Sequence, residues 1–185
     1  MTDEAIFERA RRGDEAAFRT LYEKYRGPLF RFAWRMSGAV ETAEDLTHDC
    51  FLSLFSSGFT ETRGSLRTYL FGTIRNLARK RWRDHGREEL TSEAADNLVT
   101  TSGALDLLLS KETAAAVQSA VDALPPLQKE VLTLFEYEDL PLDEIAGITG
   151  AEVGAVKSRL HRARESLRNS LARLPRTSIP TEASR

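Results

Sequence analysis

Apolar residues recur at steps of three and four along most of the chain, and this spacing constrains the fold more than any other feature. The first long stripe comprises Phe18, Leu21, Tyr22, Tyr25, Leu29, Phe32 and Met36. Its period of about 3.6 residues is that of an amphipathic helix. Gly27-Pro28 interrupts the stripe, so we expect either a kink or two abutting helices there. No segment keeps the alternation of a β-strand, and the sequence therefore predicts an all-α fold.

Turn and capping residues divide the rest of the chain into further helices. Ser37-Gly38 ends the first stripe, and the next amphipathic segment, whose polar face is acidic, closes at 56–58. Ser65 stands where the N-cap of a third helix is needed. In the second half, Pro141 stands at the first turn of a short helix, and Thr149-Gly150 makes a tight turn before the last helix.

The composition changes at residues 86–104, which are rich in Gly, Ser, Thr, Glu and Asp and show little periodicity. We interpret this segment as an acidic, flexible linker. The sequence thus predicts two small helical domains, one at 1–85 and one at 105–174. Residues 175–185 follow the last apolar stripe and are expected to form a disordered tail.

Charged residues are strongly segregated, although the formal net charge is only −2. Residues 63–87 hold eight basic residues against one acidic residue, and residues 152–176 hold seven against two. Acidic residues are in excess at 41–49, 88–112 and 122–144, where the net charges are −4, −5 and −6. One basic block in each predicted domain indicates two separate surfaces for the phosphates of nucleic acid.

The sequence disfavours several classes of chemistry. Cys50 is the lone cysteine and lies in an apolar helical stretch, so we interpret it as a small buried hydrophobic residue. His48, His85 and His161 are far apart in sequence, and we expect neither a metal site nor a cofactor. The sequence contains no glycine-rich phosphate loop and no nucleophile–base pairing, which argues against an enzyme.

The chain is expected to be cytoplasmic, with no membrane insertion of its own. Its longest apolar runs are only a few residues, far short of the roughly 20 residues that span a bilayer. The first residues alternate acidic and basic groups and lack the basic-then-apolar order of a secretory signal.

The strongest local motif is a helix-turn-helix at 141–164, PLDEIAGITGAEVGAVKSRLHRAR. A short helix, a glycine turn and a longer basic helix are the parts that place a recognition helix in the major groove of DNA. The residues predicted to contact DNA are Lys157, Ser158, Arg159, His161, Arg162 and Arg164. Those nearest the helix start are placed to reach base edges, whereas Arg159 and Arg164 are placed to meet phosphates. The alternative is a basic amphipathic helix that is merely solvated.

The segment LPPLQKEVLTLFEYEDLPLDEIAGITGAEVGAVKSRLHRARESLR resembles the C-terminal promoter-binding domain of extracytoplasmic-function sigma factors, in the sigma-70 family. Upstream, GDEAAFRTLYEKYRGPLFRFAWRM, AEDLTHDCFLSLF and SLRTYLFGTIRNLARKRWR resemble the N-terminal sigma domain. The resemblance covers about 10–172, with its motifs in the expected order. It implies an alternative sigma factor that binds core RNA polymerase, melts the −10 element of a promoter and reads the −35 element.

The resemblance implies that the AEDL segment docks on a coiled coil of the polymerase clamp. The residues that would make this contact are Glu44, Asp45, Leu46, Asp49, Phe51 and Leu52. An acidic edge beside apolar anchors suits a basic pair of helices. The acids could equally form an ordinary solvated helix face, and Leu46 and Phe51 could equally belong to the core.

The resemblance also implies that residues 65–83 melt and capture the −10 element. The contacts would come from Tyr69, Arg75, Asn76, Arg79, Lys80 and Trp82, with Phe71 as a further candidate ring. Aromatic rings stack on unpaired bases, cations meet the backbone, and the amide of Asn76 can both donate and accept. The alternative for Tyr69 and Trp82 is a place in the core.

The resemblance implies three partners, namely core RNA polymerase, promoter DNA and an anti-sigma factor. The main competing hypothesis is a helix-turn-helix transcriptional regulator that does not bind core polymerase. That hypothesis accounts for 125–172 but leaves the basic, aromatic-bearing helix at 65–83 unexplained. A sigma-like scaffold that has lost its activity is a further alternative.

Overall fold

The structure, a computed structural model, describes residues 2–59, 64–84 and 104–172. Within these ranges it contains eight α-helices and no strand, as the apolar spacing predicts. In chain order the helices are α1 (Asp3–Arg11), α2 (Glu15–Ser37), α3 (Val40–Ser57), α4 (Leu66–Asp84), α5 (Ala104–Asp122), α6 (Pro126–Glu136), α7 (Leu142–Thr149) and α8 (Val153–Ala172). Except for Ala104, the predicted linker 86–104 lies outside the described residues, as does the predicted tail 175–185.

α2 runs through Gly27-Pro28 as one helix, so of the two alternatives, a kink or two abutting helices, the second is excluded. A proline in a helix interior removes one backbone hydrogen bond. α2 nevertheless packs against α1, α3 and α4, and such packing supplies most of the stability of a helix in a protein. Its ends are also well defined, because Asp14 accepts the N–H of Ala17 at 3.0 Å and Gly38 ends the helix in a left-handed conformation with φ 76°.

The apolar spacing does not predict α1, a helix of nine residues. Its signal in the sequence is a cap rather than a stripe. Thr2 Oγ1 accepts the N–H of Ala5 at 3.3 Å, and the acidic residues Asp3 and Glu4 occupy the first turn. α1 in turn supports another helix, because Glu4 Oε1 accepts the N–H of Leu66 at 3.1 Å at the start of α4.

The first four helices bury the larger part of one hydrophobic core. Its most deeply buried side chains include Phe7, Leu29, Phe32, Leu54, Leu70, Phe71 and Ile74. Burying a large apolar side chain contributes about 1.5–3 kcal/mol. Ser65 caps α4 as predicted, because its Oγ accepts the N–H of Thr68 at 3.1 Å. Cys50 is buried as expected, and burial raises the pKa of its thiol to about 12.

The same hydrophobic core continues into the last four helices, where it supports α8. Its buried side chains include Val121, Leu134, Ile145, Val156, Leu160 and Ala163. Pro141 lies at the N-cap of α7, just before the first-turn position that we expected. Gly150 ends α7 in a left-handed conformation with φ 64°, so Thr149-Gly150 makes the predicted turn. α7 and α8 thus form the two helices of the predicted helix-turn-helix.

The N-terminal half (α1–α4) and the C-terminal half (α5–α8) lie directly against each other. α4 packs on α7, and α2 packs on α6. Gly147 of α7 approaches Thr68 of α4 so closely that a Cβ at position 147 would lie 3.7 Å from the Thr68 Cγ2 methyl. We call this contact between the halves the seam. The domain bounds 1–85 and 105–174 stay predictions.

Candidate nucleic-acid interface

α8 carries its polar face outward over the segment predicted to read DNA. Lys157, Ser158, His161, Arg162 and Arg164 are exposed, and Arg159 is half-buried. Four of these residues, Lys157, Ser158, His161 and Arg162, line one shallow depression. The opposite side of the helix is buried through Val156, Leu160 and Ala163. α8 is therefore anchored by one face and exposes the other, a form that the major groove of DNA can admit.

Arg164 lies at the edge of this surface and is tied to α6. Its Nε and Nη2 donate to Glu136 Oε1 at 2.8 and 2.5 Å. Its guanidinium carbon also lies 5.1 Å from the centre of the Phe135 ring. To contact a phosphate, Arg164 would have to leave its ion pair with Glu136. That pair is exposed and therefore contributes little to stability in water. Arg164 stays a predicted DNA contact.

The residues predicted to capture single-stranded DNA lie in three environments on α4. Asn76, Arg79 and Lys80 are exposed, Tyr69 and Trp82 are half-buried, and Arg75 is buried. The Tyr69 ring packs edge-on against Phe59 with centroids 5.5 Å apart, and Trp82 packs against the core. Each of the two rings is therefore partly anchored in the core and partly accessible, so the structure leaves both interpretations of them open.

Phe71 does not offer its ring to bases in this structure. The side chain is 1 % exposed, and its ring packs against Phe32 with centroids 5.5 Å apart. The spacing of apolar residues indicates this burial, because Phe71 shares a helix face with Ile74 and Ala78, which are also buried.

The predicted polymerase contacts on α3 fall into an exposed group and a buried group. Glu44, Asp45, Asp49 and Leu52 are exposed, whereas Leu46 and Phe51 are buried. Leu52 is 55 % exposed, an unusual position for a large apolar side chain. Asp45 Oδ2 accepts a 3.2 Å hydrogen bond from Arg81 of α4. The exposed group can contact a partner directly, while Leu46 and Phe51 can act only by holding α3 in place.

The seam holds a charged cluster that neither the apolar spacing nor the motifs predict. Arg75 Nε on α4 donates to Glu130 Oε1 on α6, and these side chains are 9 % and 2 % exposed. Arg31 Nη2 lies 3.3 Å from Glu138 Oε2, and Arg67 donates to the backbone carbonyl of Glu138. Burial raises the pKa of the Glu138 carboxyl above its usual value, and the nearby arginines only partly offset this effect.

The sequence indicates this cluster only through two charged segments, the acidic excess at 122–144 and the basic block at 63–87. The paired residues across the seam lie 55 to 107 positions apart. Local spacing carries no information about which of these charges meet.

No group of three or more His, Cys, Asp or Glu side chains is arranged to hold a metal ion within residues 2–59, 64–84 and 104–172. Among the helices that the structure describes, none combines the length and the apolar character that crossing a bilayer requires.

Two family models match the chain, in the order that the motifs predict. The model for Sigma-70 region 2 matches residues 21–88. The model for Sigma-70, region 4 matches residues 114–167. The first match contains α3, α4 and most of α2, and the second contains α6, α7 and most of α8.

Curated relatives align along most of the chain. The ECF RNA polymerase sigma factor SigE of Mycolicibacterium smegmatis is 31 % identical, over 93 % of this chain and 68 % of the relative. The ECF RNA polymerase sigma factor SigW of Bacillus subtilis is 30 % identical, over 87 % of this chain and 92 % of the relative. The ECF RNA polymerase sigma-E factor of Escherichia coli K12 is also 30 % identical, over 95 % and 97 %.

Solved structures share the fold. A chain of the complex of the sigma factor RpoE with the anti-sigma factor NepR from Bartonella quintana matches with a TM-score of 0.68 and 27 % identity, over 84 % of this chain and 96 % of that chain. A chain of the complex of CnrH with the cytosolic domain of CnrY has a TM-score of 0.66 and 23 % identity, over 92 % and 97 %.

These matches support a sigma factor and not a helix-turn-helix regulator that leaves core polymerase unbound. Both family models occur in order, and the relatives align from one half of the chain into the other. The chain therefore belongs to the extracytoplasmic-function (ECF) family of RNA polymerase sigma factors, and it is an alternative sigma factor that binds core RNA polymerase and directs promoter-specific transcription initiation.

Proposed function

We propose that the three surfaces divide the work of promoter recognition: α8 reads the −35 element, α4 captures the −10 element, and α3 docks on core RNA polymerase. The observation that carries this proposal is the two-sided character of α8. Val156, Leu160 and Ala163 bury one face, while the basic and polar residues of the other face are exposed. The major groove of DNA admits a single α-helix presented in this way.

The contacts of α8 divide according to their position on the helix. Lys157, Ser158, His161 and Arg162 line one depression and are proposed to reach base edges. Arg162 is the residue that we assign to base selection, because an arginine can bond to guanine through two donors at once. Arg159 and Arg164 are proposed to contact phosphates, which position the protein without reading the sequence.

For the −10 element we propose a surface at the basic end of α4. Asn76, Arg79 and Lys80 are exposed and supply amide and cationic groups, and the accessible parts of Tyr69 and Trp82 supply rings for stacking. Arg75 can join this surface only when it is released from Glu130.

For the polymerase we propose direct contact through the exposed members of the α3 set. Glu44, Asp45 and Asp49 form an acidic edge beside the apolar side chain of Leu52. A complementary basic surface would be attracted to the acids, and Leu52 would supply the apolar contact. Leu46 and Phe51 support this surface from within the core.

The two halves are proposed to work as separate domains, 1–85 and 105–174, joined by the acidic linker 86–104 and followed by a tail at 175–185. The two family models leave residues 89–113 unmatched, which supports a division in that region. We place the protein in the cytoplasm because its proposed partners, core polymerase and promoter DNA, are found there.

An anti-sigma factor is proposed as a further partner. A solved chain that this chain resembles, RpoE of Bartonella quintana, was determined in complex with the anti-sigma factor NepR. Such a partner would regulate the chain by binding to it.

Transcription in vitro with purified core polymerase, the full-length chain and a library of promoter fragments tests the proposal. Template-selective transcripts that require the chain are expected, and the selected fragments reveal both promoter elements. Replacing Arg79 and Lys80 with alanine should abolish opening of the −10 region, detected by the reactivity of unpaired thymines, while binding of a −35 duplex persists. If both activities fall together in this variant, the division between α4 and α8 is wrong.

A further inference from the structure

A cavity of about 430 Å³ lies at the seam. Helices α1, α2 and α4 line one side of it, and the turn at 137–139, directly after α6, lines the other. Its volume falls within the range of about 300–1,000 Å³ that small-molecule pockets occupy. Among the described residues that line the cavity, none is proposed to contact DNA or polymerase. The proposed function therefore leaves this cavity without a role.

Glu138 is a buried acceptor in the wall of the cavity. Its side chain is 2 % exposed, and its Oε2 accepts a 3.3 Å hydrogen bond from Arg31 Nη2. Its Oε1 is buried and has no hydrogen-bond partner among the residues that the structure describes. Buried polar atoms in folded proteins nearly always have a partner. A ligand that donates a hydrogen bond to Oε1 would supply the missing one.

The turn that carries Glu138 has an uncommon backbone conformation. Asp139 adopts φ 50°, in the left-handed region that residues other than glycine rarely adopt. The N–H of Leu140 donates to the carbonyl of Leu134 at 3.1 Å and closes the turn. The position of Glu138 in the cavity wall is therefore fixed by the backbone on both sides of it.

Three cationic side chains line the same cavity, namely Lys24, Arg31 and Arg67. Lys24 and Arg31 are about half exposed, and each forms one ion pair. Ammonium and guanidinium groups carry several donors, so both side chains keep donors for a further anionic group. The carboxylates of Asp3 and Asp139 also line the cavity. An anionic group of a ligand would therefore bind at the exposed ends of Lys24 and Arg31.

These groups define a ligand with two parts. The part that faces Glu138 must donate hydrogen bonds and must be neutral, because Arg31 and Arg67 already contact this residue and would repel a further cation. Guanine meets both conditions, since its neutral edge carries two adjacent N–H donors that match the two oxygens of a carboxylate. The other part must be anionic, and phosphate binds lysine and arginine through charge-assisted hydrogen bonds.

We propose that this cavity is a binding site for a guanine nucleotide. The Glu138 carboxylate accepts hydrogen bonds from the base, Lys24 and Arg31 bind the phosphates, and the half-buried Tyr137 and Pro28 supply apolar surface beside the base. Because both halves line the cavity, the bound nucleotide contacts both at once and favours their contact at the seam. Neither DNA nor polymerase takes part, so the site can be tested independently of the proposed function.

Isothermal titration calorimetry of the full-length chain with GTP and ATP tests for the site. One GTP should bind per chain, about tenfold more tightly than ATP, because adenine lacks the paired donors that Glu138 requires. The two nucleotides carry the same phosphates, so their difference isolates recognition of the base. Equal affinities would show that the base is not recognised, and no binding of GTP would show that the cavity holds water only. Either result overturns the proposal.

Glu138→Gln tests recognition of the base by a change of preference rather than by a loss of binding. In xanthine a carbonyl oxygen replaces the amino group of guanine, and the glutamine amide can donate to that oxygen while it accepts the ring N–H. The variant should therefore bind xanthosine triphosphate about tenfold more tightly than GTP. Glu136→Gln is the matched control, because Glu136 is exposed, pairs with Arg164 and does not line the cavity. This control should keep the preference of the wild type, and a Glu138→Gln chain that still prefers GTP contradicts the proposal.

Lys24→Ala keeps the test decisive if Glu138→Gln loses helical content or binds neither nucleotide. This variant should bind GTP about tenfold more weakly than the wild type does, and it should bind guanosine equally well, since guanosine has no phosphate. An equal loss for both ligands would show that the cavity has collapsed and that no phosphate contact was removed. An unchanged affinity for GTP would exclude Lys24 from the site. Both of these outcomes contradict the proposed arrangement.

Discussion

The Tyr25 hydroxyl donates a 2.5 Å hydrogen bond to Asp3 Oδ2 and thereby ties α1 to α2. The ammonium group of Lys24 lies 2.6 Å from Oδ1 of the same carboxylate. Burial by itself would raise the pKa of Asp3, but the hydrogen bonds from Lys24 and Tyr25 outweigh it, so the pKa is lowered from its usual value of 3.8. A short helix is thus held in place partly by one charged group.

We expect Asp3→Asn to lower the free energy of unfolding of the N-terminal half by about 1 kcal/mol at neutral pH. Because the pKa of Asp3 is lowered in the folded chain, its contribution is present above pH 3.8 and is lost as the pH falls through the folded value. Urea unfolding followed by tryptophan fluorescence measures the effect, since Trp34 and Trp82 both lie in the N-terminal half. Glu8→Gln, elsewhere on α1, is the control. A loss that stays equally large at a pH below the folded pKa of Asp3 would contradict the assignment.

Glu138 should make closure of the seam depend on pH. Burial raises the pKa of its carboxyl above the usual 4.5, although Arg31, Arg35 and Arg67 face it from α2 and α4. A closed state in which this pKa is raised binds a proton more tightly than the open state does. Acidification from neutral pH should therefore favour closure, and closure should weaken as the pH rises from 4.5 through the raised pKa.

Energy transfer between fluorophores attached to Glu23→Cys on α2 and Asn169→Cys on α8 of the full-length chain measures this dependence, since both positions are exposed and Cys50 is buried. Glu138→Gln should remove it and should close at least as tightly as the wild type at neutral pH, because a neutral amide avoids the cost of burying a charge. Glu136→Gln should retain the pH dependence of the wild type. A wild-type chain that opens on mild acidification would show that another group controls the seam.

Truncation of two leucines of α3 should affect two different properties, polymerase binding and stability. Leu52→Ala should weaken binding to core polymerase and change the free energy of unfolding by no more than about 0.5 kcal/mol, because the side chain is 55 % exposed. Leu46→Ala should destabilise the fold by about 2–5 kcal/mol, because its side chain is 3 % exposed in the core. Polymerase affinity and thermal unfolding, measured on both variants, separate the two effects. Unchanged affinity in Leu52→Ala would remove α3 from the polymerase contact.

Two arginines of α8 should differ in what they contribute to promoter binding. Arg162→Ala should cost about 1–3 kcal/mol and relax the preference for one base pair of the −35 element. Arg168→Ala, further along the same exposed helix, should weaken all duplexes alike and reduce the salt dependence of binding by about one phosphate contact. Fluorescence anisotropy with single-base variants of the −35 duplex makes the comparison. An unchanged base preference in Arg162→Ala would mean that α8 docks in another register.

The spacing of apolar residues predicts α2, α3, α4, α7 and α8, whereas α1 lacks this signal for a physical reason. α2 and α8 each bury a stripe long enough to display a helical period. α1 buries only Ile6, Phe7 and Ala10, so its sequence shows a cap but no sustained stripe. At Pro28 the local sequence leaves a kink and a break equally open, and only the packing of α2 decides that the helix is continuous.

The exposed residues of the candidate site can be predicted from the sequence only where the same helix supplies both the functional residues and the core contacts that orient them. On α8 the buried stripe fixes which residues face outward, and most of the predicted residues are indeed exposed. On α4, Arg75 and Arg79 lie one turn apart, yet Arg75 is buried and Arg79 is exposed. The difference arises from Glu130, which lies 55 residues further along the chain, and helical spacing does not extend that far.

The separation between Arg75 and Glu130 also sets an order of events during synthesis. The arginine is added to the growing chain 55 residues before its partner, when the apolar side chains of α1–α3 have already been made. Domains generally fold in the order in which they are made. Every nascent chain therefore passes through a stage in which Arg75 faces water, and a chain terminated before residue 126 would remain at that stage.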